Sequence, residues 1–538
     1  MIRILAVALF STVLILNSLL NSKQVFAAKP PPVKEIVYIP HDDRPISLKQ
    51  TAEVIEKAGY KIITPPQNLL GNRNSMGNSD ELWKWYENFM KKASKDKKVK
   101  IVASVLSSDS LLYGSLVGSR KHNFAEKNIL ARVKKFANIR KKYPSTPLYV
   151  FSSIMRTPKS AADSGHMEPD YYDTYGEDIF RYAALLDKQE TVGLNRRNEE
   201  ELAFLKSLLP KSAINDWFSR RKKNFNANRA LIDLAKADTF NYLLLGRDDN
   251  APYSATHQER RKLLNYSTSL SNDIERTAAG IDEAGMLLLT RAVLKDKGLT
   301  PKVYVRYNWG SGEFVVPAYS DEPIDYSIND EIQIAGAERV DDVKDADLVL
   351  TVNTNPNGKT GNGALYSNNI KAREGTRYFV DTIEEYLSMG KPVVIADIAF
   401  ANGADNALMD NLKKRDLLFK ITGYAGWNTA TNSAGFAIAT GLLAKDMKKA
   451  DKDALLKTRY LDDWMYQGNI RTIVARQLTW LNGDGVYGAL NDKREWAEER
   501  VHHIFDSFLR EDLPIVKAKD IQINLPWNRM FEADIIQK

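Results

Sequence analysis

The chain has no cysteine among its 538 residues and only six histidines. Without thiols there are no disulfide scaffolds, thiolate zinc sites, iron–sulfur clusters or cysteine nucleophiles. Only His502 and His503 are close in sequence. Neighbouring helix positions do not face each other, so zinc held by several imidazoles is not expected. Three catalytic signatures are also missing: the Gly-x-Ser-x-Gly elbow, the phosphate loop ending in Gly-Lys-Ser/Thr, and His-Glu-x-x-His. An excess of one charge is nearly absent as well. The 76 Lys plus Arg against 68 Asp plus Glu leave +8, too little at this size to argue for nucleic acid. Beyond residue 20, no run is long and apolar enough to span a bilayer.

What remains is a globular composition, 43% hydrophobic, 10% aromatic and 27% charged. The length calls for two domains, or one large α/β domain with additions. At the N-terminus, Arg3 precedes a mostly apolar stretch over 4–20, and Val25-Phe26-Ala27 offers small residues at the spacing a signal peptidase reads. Removing a signal peptide over 1–27 leaves 538 − 27 = 511 residues; losing Arg3 and Lys23 brings the formal charge to 8 − 2 = +6. The expectation is an exported protein, secreted or in the cell envelope, with no membrane span after cleavage. An uncleaved anchor is the alternative.

Short β-rich apolar runs occur at 36–40, 61–64, 99–105, 147–154, 240–245, 302–307, 347–352 and 392–398. Amphipathic segments such as 48–58, 125–142, 229–236 and 376–389 lie between them. This alternation predicts an α/β fold with mostly parallel sheets from repeated βα units. Eight runs would also suit a (β/α)8 barrel. The uneven spacing, with a polar helical insertion over about 160–235 and a Gly/Pro-rich interruption at 301–330, favours two Rossmann-like domains over a distorted barrel. The expected partition is 33–298, 299–445 and a helical C-terminal region over 446–538, in which 459–481 reads as amphipathic helix.

Run after run ends in Asp, Asn, Arg or an aromatic residue. Examples are His41-Asp42-Asp43-Arg44, Ser108-Asp109-Ser110, Met155-Arg156, Arg247-Asp248-Asp249-Asn250, Asn308-Trp309, Asn353, and Asp397 followed by Asn402. One such ending is ordinary turn or cap chemistry. Their recurrence predicts one polar cleft, because the carboxyl ends of parallel strands share a rim where ligands bind. Asp42, Asp43, Asp109, Asp248, Asp249 and Asp397 are the candidate acid–base groups, with strand alternation sending one of each adjacent pair inward. Candidate substrate contacts are Arg44, Tyr113, Arg156, Asn250, Trp309, Asn353 and Asn402, with Tyr424, Trp427 and Asn428 from a loop suited to stacking on a sugar.

Several segments together resemble the bacterial domain of unknown function 4127 family, over about 36–480. They are His41-Asp42-Asp43-Arg44-Pro45, Asp109-Ser110-Leu111-Leu112-Tyr113-Gly114, Arg247-Asp248-Asp249-Asn250, Asp282-Glu283-Ala284-Gly285, the Asp397 and Tyr424 segments, and Leu461-Asp462-Asp463-Trp464. The resemblance implies that the polar loops belong together, and it brings no reaction with it. An exported, Asp-rich, aromatic-lined chain without a cofactor motif has the profile of a glycosidase-like, carbohydrate-active hydrolase. Glycoside hydrolysis needs two carboxyl groups, one of them kept protonated by its surroundings. The expected partner is a glycan or other polar small molecule. The alternatives are a metal-assisted phosphate or ester hydrolase, with Mg²⁺ or Ca²⁺ on the carboxylate rim, and a noncatalytic glycan-binding envelope protein.

Overall fold

The computed structural model describes residues 31–160, 167–373, 375–482 and 487–538; the leader expected over 1–27 lies outside the described residues. Two open, wholly parallel sheets carry the fold. The first contains β1 (Val33–Ile39), β2 (Lys61–Ile63), β3 (Val99–Ser107), β4 (Leu148–Ile154), β5 (Tyr242–Arg247) and β6 (Glu275–Ala279), in the order β2-β1-β3-β4-β5-β6. Then come β7 (Lys302–Tyr307), β8 (Glu338–Val340), β9 (Leu348–Asn353), β10 (Gly361–Asn362), β11 (Val393–Asp397), β12 (Phe400–Ala401) and β13 (Gly423–Ala425). Of these, β13-β11-β9-β7-β8 form the second sheet, and β10 pairs with β12 outside it. In each sheet the first strand lies between the second and the third, so the strand order reverses at β1/β3 and at β7/β9.

Each of the eight apolar runs forms a strand, because strands buried on both faces need apolar side chains at successive positions. β4, β5, β9 and β11 are buried along their whole lengths. Helices Ala284–Lys297, Ile324–Ile334 and Ala430–Leu443 fill the space between the sheets. Their apolar residues share one core with Tyr38 and Phe151 of the first sheet and Leu350 and Val394 of the second. Leu287, Leu288 and Leu289 are all essentially inaccessible. A helix apolar all round belongs in such a layer. Leu288→Ala should therefore cost about 2–5 kcal/mol. Because the core is continuous, denaturant unfolding should show one shifted transition with no separate loss of either sheet.

The C-terminal region is helical over Lys449–Arg459, continues as a π-helix over Tyr460–Ile470, and resumes as helices Arg471–Asn482 and Arg494–Asp512. It ends in an antiparallel hairpin of β14 (Ile521–Asn524) and β15 (Asp534–Gln537). The segment between these strands returns to the carboxyl rim of the first sheet. Among the described residues, no helix is long and apolar enough to cross a membrane.

Candidate functional site

A cleft of about 850 Å³, measured to its open mouth, runs along the carboxyl ends of β1, β3, β4, β5 and β6. Asp42 and Arg44 follow β1, Arg120 lies beyond β3, and Arg156 follows β4. Arg247, Asp248 and Asp249 end β5, and Gly280 to Glu283 follow β6. Asn402, Asn428 and Thr431 reach in from the second half of the chain, with Trp527, Arg529 and Phe531 from the C-terminal segment. Asp463, on the π-helix, accepts from the Gly426 N–H at 2.8 Å, and Arg471 donates to the Asn402 carbonyl at 2.8 Å. Those bonds place the two amide-bearing loops.

Two charged knots stand in the cleft. In the first, the Arg44 Nε donates to Asp42 at 2.9 Å, and its terminal nitrogens donate to Asp282 at 2.7 and 3.2 Å. The His41 Nε2 lies 3.2 Å from Asp282 and 3.0 Å from the Ser47 hydroxyl. Burial works against ionisation of Asp42 and Asp282, but Arg44 and His41 outweigh it and hold both carboxyls below the usual range. In the second knot, Arg120 pairs with Asp248, while Arg156 donates to Glu168 at 2.8 Å and to Asp249 at 2.9 Å. Burial, then the adjacent Asp248 charge, push Asp249 up to about 6 against the pull of Arg156 and Arg120.

Between these knots lies Glu283, 2% exposed, with Oε2 lacking a hydrogen-bond partner. Burial chiefly, aided by the Asp282 and Asp248 charges, pushes its carboxyl up to about 8. Gly280 makes room for it: at φ +83° its backbone suits glycine, and a Cβ there would overlap the Glu283 carboxylate. One cleft thus holds a carboxyl protonated at neutral pH beside carboxylates that stay ionised. Divergent environments of this kind separate acid from base roles.

Of the residues singled out from sequence, Asp42, Asp248, Asp249, Arg44, Arg156, Asn402 and Asn428 line this cleft. Both members of the 248–249 pair do so, since β5 ends at Arg247 and strand alternation no longer applies. Asp43 faces elsewhere and accepts from the Trp527 indole at 2.6 Å. Asp109 is buried beneath the rim on the Ser153 N–H and hydroxyl, at 3.0 and 2.8 Å. Asp397 belongs to a separate buried network: Asn353 donates to it at 2.8 Å, the Tyr424 hydroxyl at 2.7 Å, and the Asp405 N–H at 2.7 Å. Burial raises both Asp109 and Asp397 to about 6, yet neither lines the cleft.

Tyr113 is buried and stacks on His122, and Asn250 braces its own turn through the Ala251 N–H. Trp427 packs against Phe531 beneath its loop, and Trp309 stands 60% exposed in another groove. Nothing in the strand-end pattern of the sequence points to Arg120, Asp282, Glu283, Trp527 or Arg529. Asp282-Glu283 stood out only as part of the family resemblance, because β6, Glu-Arg-Thr-Ala-Ala, carries no apolar run to mark its rim.

Among the described residues, no group of three or more His, Asp or Glu side chains is arranged to hold a metal ion. No curated protein and no solved structure matches the chain. A family model described as a protein of unknown function (DUF4127) matches residues 36–536, nearly the whole length, and the chain belongs to that family.

Proposed function

We propose that the protein is an exported, glycosidase-like hydrolase of glycans, with Glu283 as general acid and Asp249 as base. What supports this reading is that one cleft holds both Glu283, buried with an unpartnered Oε2 and raised to about 8, and Asp249, partly open to solvent and raised to about 6. Glu283 gives its proton to the glycosidic oxygen as the carbon–oxygen bond breaks. Water adds to the anomeric carbon, and Asp249 takes the proton that water loses. Asp42 and Asp282, held ionised by Arg44, keep negative charge beside the carbon that becomes cationic. Asn402 and Asn428 supply amides for sugar hydroxyls, and Trp527 and Phe531 supply apolar wall.

The test is turnover of nitrophenyl glycosides and of purified bacterial envelope glycans as a function of pH. The base must be ionised and the acid protonated, so kcat/KM should rise through about pH 6 and fall through about pH 8. Added EDTA should leave that profile unchanged. Loss of turnover with EDTA, restored by Mg²⁺ or Ca²⁺, would instead favour a metal-assisted hydrolase. Binding without turnover at any pH would leave a glycan-binding protein.

A further inference from the structure

A second concave surface lies where the strand order of the second sheet reverses. There the loops leaving β7 and β9 meet. Gly310, at φ +98°, comes so near Pro356 that a Cβ would strike its main chain, and Ser311 sits against Gly358. Open parallel sheets take ligands outside the carboxyl ends of strands at such a reversal. On the first sheet, the cleft holding Asp42 and Arg120 already occupies the equivalent place, after β1 and β3.

The groove on the second sheet is lined by Arg306, Trp309, Glu313, Phe314 and Tyr378, none of which lines the first cleft. Trp309 is 60% exposed, Phe314 74% and Tyr378 55%. Three solvent-facing aromatic side chains in one groove mark a surface that meets something apolar. The backbone that carries the indole is held, because the Asn308 side chain accepts from the Trp309 main-chain N–H at 2.7 Å and donates to Asn353 at 2.8 Å. A presented ring on a fixed backbone loses little freedom on binding.

We infer that this groove is a second carbohydrate-binding site, taking the face of a pyranose ring on Trp309. The arrangement of the rings selects the ligand class. Trp309 and Tyr378 meet edge to face, with centroids 6.5 Å apart and planes at 75°. No parallel-walled slot exists between them for a flat heterocycle. Both rings stay more than half exposed instead, and Arg306 and Glu313 in the same lining supply polar groups for sugar hydroxyls. The site asks no chemistry of Glu283 or Asp249, so it stands whether or not the cleft hydrolyses anything.

The test is co-sedimentation of the full chain with peptidoglycan sacculi, chitin and cellulose, and with phosphatidylglycerol vesicles. The Trp309→Ala/Tyr378→Ala variant and Glu283→Gln are run beside the parent. At least one polysaccharide should retain the parent and Glu283→Gln equally. The aromatic double variant should bind about tenfold more weakly or worse. Its melting temperature should be unchanged, since both side chains are exposed. The proposal is overturned if no polysaccharide retains the parent, or if the double variant sediments like the parent. It is also overturned if only vesicles depend on the two rings, or if Glu283→Gln abolishes retention and so moves the binding to the cleft.

Discussion

Glu283→Gln is expected to lower turnover by a factor on the order of 10²–10⁴ and to make the protein more stable at the same time. Gln keeps the shape of the side chain, but it has no acidic proton to give a leaving group. The fall in kcat/KM above about pH 8 should disappear with it, leaving only the limb near 6. The gain in stability follows from the same burial. A carboxyl whose folded pKa lies above its ordinary 4.5 favours the folded state below that value, and this contribution is lost as pH rises toward about 8. At pH 7 the protonated Glu283 therefore costs the fold on the order of 3 kcal/mol relative to a neutral isostere. Chemical denaturation of parent and variant from pH 4 to pH 9 should give curves that coincide in acid and diverge as the pH rises. Opposite effects on activity and stability are the mark of a group kept for function. If the variant is stabilised and yet turns over like the parent, Glu283 is a buried acid without a catalytic part.

How far the molecule was legible in its sequence depended on what each strand buries. β1, β3, β4, β5, β9 and β11 lie inside their sheets, and their inner residues are apolar position after position. β6 is an edge strand, and its polar side chains find partners at hand: Arg276 with Asp330 and Gln333, Glu275 with Thr277. Its burial therefore left no apolar signature, and the rim it opens, which carries Glu283, went unread. The recurrent polar strand ends did mark a real rim on the first sheet. On the second sheet the same signature marks bracing. Asp397 and Asn353 tie the strand ends to Tyr424 and Asp405, and Asp405 caps helix Asn406–Lys414 through the Ala407 N–H. Asp and Asn serve a ligand or a neighbouring loop with the same atoms, and only the three-dimensional partner distinguishes them. The Trp527 and Arg529 contribution had no local signal at all, since it arises from a hairpin folding back across the chain.

Asp248 and Asp249 are adjacent, both line the cleft, and both pair with arginine, yet their Asn variants are expected to part company. Asp249 has a side chain 24% exposed toward the cleft, and its Arg156 partner keeps Glu168 at 2.8 Å when the Asp249 charge is removed. Asp249→Asn should therefore fold as the parent does. As the base is lost, turnover should fall by a factor on the order of 10²–10⁴ and the acid limb near 6 should vanish. Asp248 is more deeply placed, 7% exposed, and among the described residues it is the closest charge partner of Arg120, which is itself 2% exposed; Glu168 stands 3.7 Å away. Asp248→Asn keeps one acceptor oxygen but leaves the guanidinium short of a countercharge. The expected loss is about 1–3 kcal/mol of stability. The same variant removes one of the charges that hold Glu283 protonated, so the alkaline limb should move to lower pH. Denaturation midpoints and pH–rate profiles of the two variants, measured side by side, separate the roles. If Asp249→Asn keeps parental kcat with its acid limb in place, the base lies elsewhere. If Asp248→Asn leaves both the midpoint and the alkaline limb unmoved, the Arg120 pair holds neither the fold nor the acid.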